Sequence, residues 1–242
     1  MNNENRKCVL VTRSASDSLI IERLLEKKEI DSILWSPITI TETNVSIDET
    51  DFKKAQLIII LSKNAIQTRI NRYLKKYSTK ILCIGKGSAE KIFEQTHNKP
   101  AYISNSSSEV LLENKRVKEA EKILILKGEK GRGILERELI KKEKEVKILN
   151  LYRREKNKAN TKTVKTIREN APLLITATSV EILDQITTLY VNESINLKKI
   201  TVVTFSNRIS QRAFELGYKN TLLVNQMNNK GIVEKILEYY EK

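Results

Sequence analysis

Leu57-Ile-Ile-Ile-Leu-Ser-Lys-Asn-Ala-Ile66 is the stretch on which the fold turns. Its apolar run, Leu57 to Leu61, has no polar position, so it reads as a strand covered on both faces rather than one with a wet side. The run is far shorter than the roughly 18–20 residues that span a bilayer. Ser62 ends it, and the spacing beyond predicts a helix over 63–76. A covered strand, a turn bearing a small hydroxyl and a helix make one half of a βαβ crossover, the connection that parallel strands require.

The same alternation recurs in both directions. Upstream, a strand is expected at Lys7–Arg13, a helix at Asp17–Lys28 and a strand at Ser32–Trp35. Downstream come strand 80–84, helix 88–95, a short strand near Tyr102, helix 107–114, strand 122–127, helix 132–143 and strand 145–149. The last third adds helix 161–169, strand 173–177, helix 180–188, strand 199–204, helix 207–216, strand 221–224 and helix 229–240. Two places break the rhythm. Pro37-Ile-Thr-Ile-Thr41 alternates and leads into a polar stretch to about Asp51 with no helix signal. Leu151-Tyr-Arg-Arg-Glu-Lys156 is a second extended, irregular piece.

These interruptions bracket about 100 residues, a usual domain size. The expected architecture is therefore α/β, with two doubly wound, flavodoxin-like parallel-sheet domains. Residues 1–36 and 160–242 form an outer domain, 47–148 an inserted one, and 37–46 with 149–159 a two-stranded connecting ladder. One continuous sheet is the alternative. A weak repeat favours two domains: Ile58–Ile66 resembles Leu174-Ile-Thr-Ala-Thr-Ser-Val-Glu-Ile182, and Ile81-Leu-Cys-Ile-Gly-Lys-Gly-Ser-Ala89 resembles Thr201-Val-Val-Thr-Phe-Ser-Asn-Arg-Ile209.

Composition narrows the function. The 242 residues hold 44 Lys+Arg against 30 Asp+Glu, a net charge of +14. Either lysine-rich usage or an acidic ligand accounts for that excess, because Lys and Glu alternate, as in Lys141-Lys-Glu-Lys-Glu-Val-Lys147, and form no polybasic block. Aromatics are 5%, too few for base-stacking platforms, which argues against nucleic acid. Two cysteines in strand-like runs exclude a disulfide framework, and one His with two Cys cannot build a typical zinc site. The amino terminus runs into a strand rather than a signal-peptide segment. A cytoplasmic protein with no membrane contact is expected.

Ligands of open α/β sheets lie beyond the carboxyl ends of the strands, where helix amino termini offer unpaired N–H groups to anions. Thr12, Ser62, Ser88, Thr178, Ser179 and Ser206 all fall at such turns. Each also suits plain helix capping. Gly85-Lys-Gly-Ser88 lacks the Walker spacing, and Gly128-Glu-Lys-Gly-Arg-Gly133 lacks the dinucleotide order, so nucleotides are not expected. His97 reads as a surface turn. No Ser-His-Asp set and no activated cysteine is available, which leaves carboxylates, tyrosines, lysines and oriented amides for any chemistry.

Taken in order, Val9-Leu-Val-Thr-Arg13, Ile60-Leu-Ser-Lys-Asn-Ala-Ile66, Ile84-Gly-Lys-Gly-Ser-Ala89, Ile123-Leu-Ile-Leu-Lys-Gly-Glu-Lys-Gly-Arg132, Leu151-Tyr-Arg-Arg154, Ala177-Thr-Ser179 and Val203-Thr-Phe-Ser206 with Glu215-Leu-Gly217 resemble the uroporphyrinogen-III synthase family. The resemblance implies two α/β domains on a ladder and a monomer. It implies a cofactor-free closure of linear hydroxymethylbilane, a polycarboxylate tetrapyrrole, with inversion of the last pyrrole ring and loss of water. Tyr152 matches the family's ladder tyrosine, a proton donor to the departing hydroxyl. Ser62, Asn64, Ser88, Thr178, Ser179 and Ser206 match turns that bind substrate carboxylates. Arg13 matches a first-strand arginine, with an ion pair inside the fold as its alternative role. Lys127, Gly128 and Arg132 belong to the glycine turn that would neutralise carboxylates. The chain departs from the family at Thr96-His97-Asn98, where glycine is common, and at Phe205-Ser-Asn-Arg208. A non-catalytic two-domain module for an acidic metabolite is the competing function.

Overall fold

A computed structural model describes residues 7–104, 108–131 and 133–241. The chain divides into two compact units, one comprising the described residues through Thr39 and from Lys156 onward, the other Ile40–Glu155.

The first unit is built on five parallel strands: β1 (Cys8–Val11), β2 (Asp31–Leu34), β9 (Leu174–Ala177), β10 (Thr201–Thr204) and β11 (Asn220–Leu223), in the order β11-β10-β9-β1-β2. Strand alternation sends Val9 and Val11 to one face, against α1 (Ala15–Glu26) and α11 (Asn229–Tyr240). Cys8 and Leu10 face the other way, toward α8 (Thr161–Asn170), α9 (Val180–Asn192) and α10 (Asn207–Glu215). Both faces being covered explains why these strands read as unbroken apolar runs. The order reverses between β1 and β9, which makes that junction the switch point of the sheet.

The second unit has six strands: β3 (Ile38–Glu42), β4 (Leu57–Ile60), β5 (Lys80–Ile84), β6 (Ala101–Ile103), β7 (Lys122–Gly128) and β8 (Glu145–Lys156), in the order β3-β8-β7-β4-β5-β6. Five run parallel. β3 lies on the edge and runs antiparallel to β8, since Thr43 N donates to Leu151 O and Asn157 N to Pro37 O. Ile58 and Ile60 pack with Phe52, Ile70, Leu74 and Ile92 on one face, while Leu57 and Ile59 pack with Leu111, Leu135 and Leu139 on the other. Each such side chain contributes about 1.5–3 kcal/mol over an exposed position. The switch point here is β4/β7.

The alternation of strands and helices follows the sequence, and five local features depart from it. The helix expected over 63–76 is a 3-10 turn at Lys63–Ala65, two extended residues, and then α3 (Thr68–Lys76). The break lies where Gln67 is buried and its amide donates to Leu151 O at 2.6 Å, a tertiary bond that the helical period does not encode. The polar stretch before Leu57 contains α2 (Glu49–Lys54), capped by Asp48 and anchored by Phe52, whose ring stacks on Tyr73 at 4.9 Å. One apolar residue in six gives no period to read. A further short helix, α6 (Lys115–Glu119), follows α5 (Ser108–Glu113), with Asn114 as its cap. Gly133 (φ 63°) is the cap of α7, which spans only Ile134–Lys141. Finally, the expected strand 145–149 and the irregular 151–156 are one 12-residue strand, β8. α4 (Lys86–Thr96) ends at His97, which adopts φ 62° in the left-handed region. That is the backbone shape a glycine would supply more cheaply.

Candidate active site

In the first unit the expected site residues gather at the carboxyl ends of β1, β9 and β10. Thr12 is fully buried and welds the switch point: its N–H donates to Thr176 Oγ1 at 2.9 Å, and its hydroxyl donates to Thr176 O. Thr12 is therefore committed to the fold. Arg13 forms an ion pair with Asp17 at 2.9 Å and lies over the Phe205 ring, 5.3 Å from its centroid. Burial lowers its pKa, opposed by the Asp17 charge and hydrogen bond. Among the described residues its Nε has no hydrogen-bond partner. Arg13 thus takes the ion-pair role, with one buried donor left over. Ser179 caps α9, accepting from Ile182 N at 3.2 Å, and Thr178 is half-buried just before it. Ser206 occupies the cap position of α10 in an extended conformation, but its hydroxyl makes no capping bond.

In the second unit Ser62 accepts from Asn64 N at 3.2 Å, and its carbonyl accepts from Ala65 N, so both residues belong to one tight turn after β4. Ser88 lies elsewhere than expected. It is the third residue of α4, 5% exposed, and the cap is Gly85 at φ 78°. It therefore stands inside the first turn of the helix instead of at its cap. Lys91, one helical turn further along α4, donates to Lys63 O at 3.2 Å. Burial, and then the Lys63 charge, hold its pKa down. The sequence reading passed over Lys91, although its i+3 spacing from Ser88 was visible. Cys83 is buried and its thiol pKa is pushed up to about 12, which removes it as a nucleophile.

The glycine turn differs most from expectation. Lys127 is 9% exposed and its ammonium forms a buried ion pair with Glu136 in α7. Its charge is already answered, so it is not a free partner for carboxylates. Gly128 lies against Tyr152: a Cβ there would stand 2.7 Å from Cζ of Tyr152. The expected Arg132 lies outside the described residues. Tyr152 is 8% exposed, packs with the core of its unit, and accepts through its carbonyl from Glu129 N at 2.9 Å. Gly128 and Tyr152 are thus expected site residues brought into direct contact.

Gln67 is a buried neighbour of this turn that no sequence signal announced. Its amide holds Leu151 O, next to Tyr152, and its Oε1 accepts from Arg69 Nε at 2.8 Å. Among the described residues no group of three or more His, Cys, Asp or Glu could hold a metal ion. No helix of the described residues is long and apolar enough to cross a membrane.

The family described as uroporphyrinogen-III synthase HemD matches residues 7–234, and so extends over both units. No curated protein matches the chain. Among solved structures, uroporphyrinogen-III synthetase from Helicobacter pylori 26695 superposes with a TM-score of 0.63 at 14% identity, covering 97% of this chain and 99% of that one. A mutant uroporphyrinogen III synthase from the extremely thermophilic bacterium Thermus thermophilus gives a TM-score of 0.56 at 10% identity, with 97% and 98% covered. At these identities the structural likeness concerns the fold.

Proposed function

Because the chain belongs to the uroporphyrinogen-III synthase family, an enzyme family of tetrapyrrole biosynthesis, we propose that it is a lyase closing linear hydroxymethylbilane to uroporphyrinogen III. The terminal ring inverts and water leaves. The match over residues 7–234 is the observation that carries this reading.

The chemistry suits residues of this kind. Pyrroles are nucleophiles, and loss of the hydroxymethyl oxygen as water makes an electrophilic azafulvene. Attack by the substituted carbon of the terminal ring gives a spiro intermediate, which fragments and recloses inverted. Bilane left to itself closes without inversion. The protein's work is to hold one folded shape and help the hydroxyl depart, and positioning of that kind can supply up to about 7–11 kcal/mol of barrier lowering. Tyr152 is the proton donor in this reading, a role generally accounting for roughly 10²–10⁴-fold in rate. In each unit, the turns at Ser62–Asn64, at Thr178–Ser179 and at Ser206 carry groups of the kind that bind carboxylates. Ser206 is supported by a hydroxyl that makes no capping bond, and Arg13 by an Nε that has no hydrogen-bond partner among the described residues. The net charge of +14 draws a polycarboxylate in. In this reading the chain acts as a cytoplasmic monomer and uses no cofactor.

The test is to incubate the protein with freshly made hydroxymethylbilane and resolve the product isomers. Type III product is expected. Type I alone, at the uncatalysed rate, would overturn the reading and leave a module that only binds an acidic metabolite.

A further inference from the structure

We infer that Gly128 and Gln67 are positioning residues that set the place of the Tyr152 phenol, an inference that rests on reading Tyr152 as the proton donor. The backbone carries the first part of the argument. Lys127 of β7 stands opposite Asn150 of β8, but the next residue, Gly128, stands opposite Tyr152. Leu151 is the extra residue of a β-bulge, a device that re-aims the side chain after it. Ordinary alternation would send Leu151 and Tyr152 to opposite faces. Here Leu149, Leu151 and Tyr152 all join the same core cluster.

The bulge is held from outside the strand. Leu151 O accepts from Thr43 N at 3.1 Å, from Gln67 Nε2 at 2.6 Å and from Arg69 NH2 at 3.3 Å. Gln67 is 7% exposed, and its other end accepts from Arg69, which pairs in turn with Glu42 at 3.7 Å. Gly128 then supplies the space into which the ring swings. A Cβ there would meet Cζ at 2.7 Å, Cε2 at 2.8 Å and Cε1 at 3.1 Å, the end of the ring that bears the hydroxyl. The backbone of Gly128 lies outside the positive-φ region, so alanine brings no backbone strain of its own. Its effect falls on where the phenol oxygen stands.

The test is a double-mutant cycle read by steady-state turnover of hydroxymethylbilane to type III product, with folding checked by circular dichroism. Gly128→Ala is expected to lower kcat at least tenfold while KM changes less than about threefold. In a Tyr152→Phe background the same change should lower kcat by less than twofold, because the oxygen it misplaces is gone. Gln67→Met, which keeps shape and removes the donor, should behave likewise with a smaller fall of about three- to tenfold. Full turnover in Gly128→Ala, or an equal fall with and without the phenol, overturns the inference. If Gly128→Ala does not fold, Gln67→Met decides by the same criteria. Wild-type turnover in Tyr152→Phe instead removes the reading of Tyr152 on which the inference stands. Slow Tyr152→Phe beside normal Gly128→Ala removes the inference alone.

Discussion

The two units share one construction rule and use their strand-end polar residues in different ways. In the five-stranded unit these residues answer one another along the strand ends, fully buried at Thr12 and Thr176 and half-buried at Arg13 and Asp17. Thr12 bonds Thr176, Arg13 pairs with Asp17 under Phe205, and Ser36 donates to the Arg13 carbonyl. In the six-stranded unit the answers lie inside. Lys127 meets Glu136 in a buried pair, and Tyr152 folds back over Gly128. Strand β8 runs on past its pairing with β7, beside the antiparallel β3, and bulges at Leu151. A residue's type and its place at a strand end therefore do not reveal whether it faces a ligand. What matters is whether the fold has already supplied its partner.

The buried pair gives the sharpest contrast in stability. Lys127→Met leaves the Glu136 carboxylate unpaired where the side chains are 11% and 8% exposed, and should destabilise the protein by about 3 kcal/mol in urea unfolding. Arg13→Met breaks a pair whose side chains are both 17% exposed and should cost visibly less. Equal losses would show that the two edges do not differ as described.

Alkaline pH distinguishes the units next. Burial pushes the Cys83 thiol from 9.0 up to about 12 and the Tyr218 phenol from 10.0 up to about 12. Each group keeps its proton longer in the folded state, so its contribution is complete below the unfolded pKa and is lost as pH rises through the folded one. Between pH 8 and pH 10 the six-stranded unit should lose about 1 kcal/mol through Cys83. Cys83→Ala should remove that part of the slope, and an unchanged slope would exclude the thiol as its source.

The smallest expected effects compare two serines in one unit. Ser179 caps α9, whereas Ser206 makes no capping bond. Ser179→Ala should lower stability by about 1 kcal/mol. Ser206→Ala should stay within about 0.5 kcal/mol and instead raise KM. The reverse pattern would exchange their roles.

Much of this was legible in the sequence. The covered strands, the hydroxyl turns after them and the two irregular segments could be read because burial on both faces and turn chemistry act locally. Helix α2 was not, since a single buried Phe52 anchors it. The split of 63–76 at Gln67 and the bulge at Leu151 were not either, because the two places meet in a hydrogen bond between residues 84 positions apart. Lys127 and Gly128 stand out in the sequence, but the protein groups they meet do not. Their partners, Glu136 and Tyr152, become visible only when β7, α7 and β8 are packed.

The most direct measurement of the central claim is a single-turnover comparison of the wild-type protein and Tyr152→Phe on hydroxymethylbilane, with the product isomers resolved. The account predicts roughly 10²-fold slower formation of type III product with substrate binding little altered. Equal rates in the two proteins would contradict it.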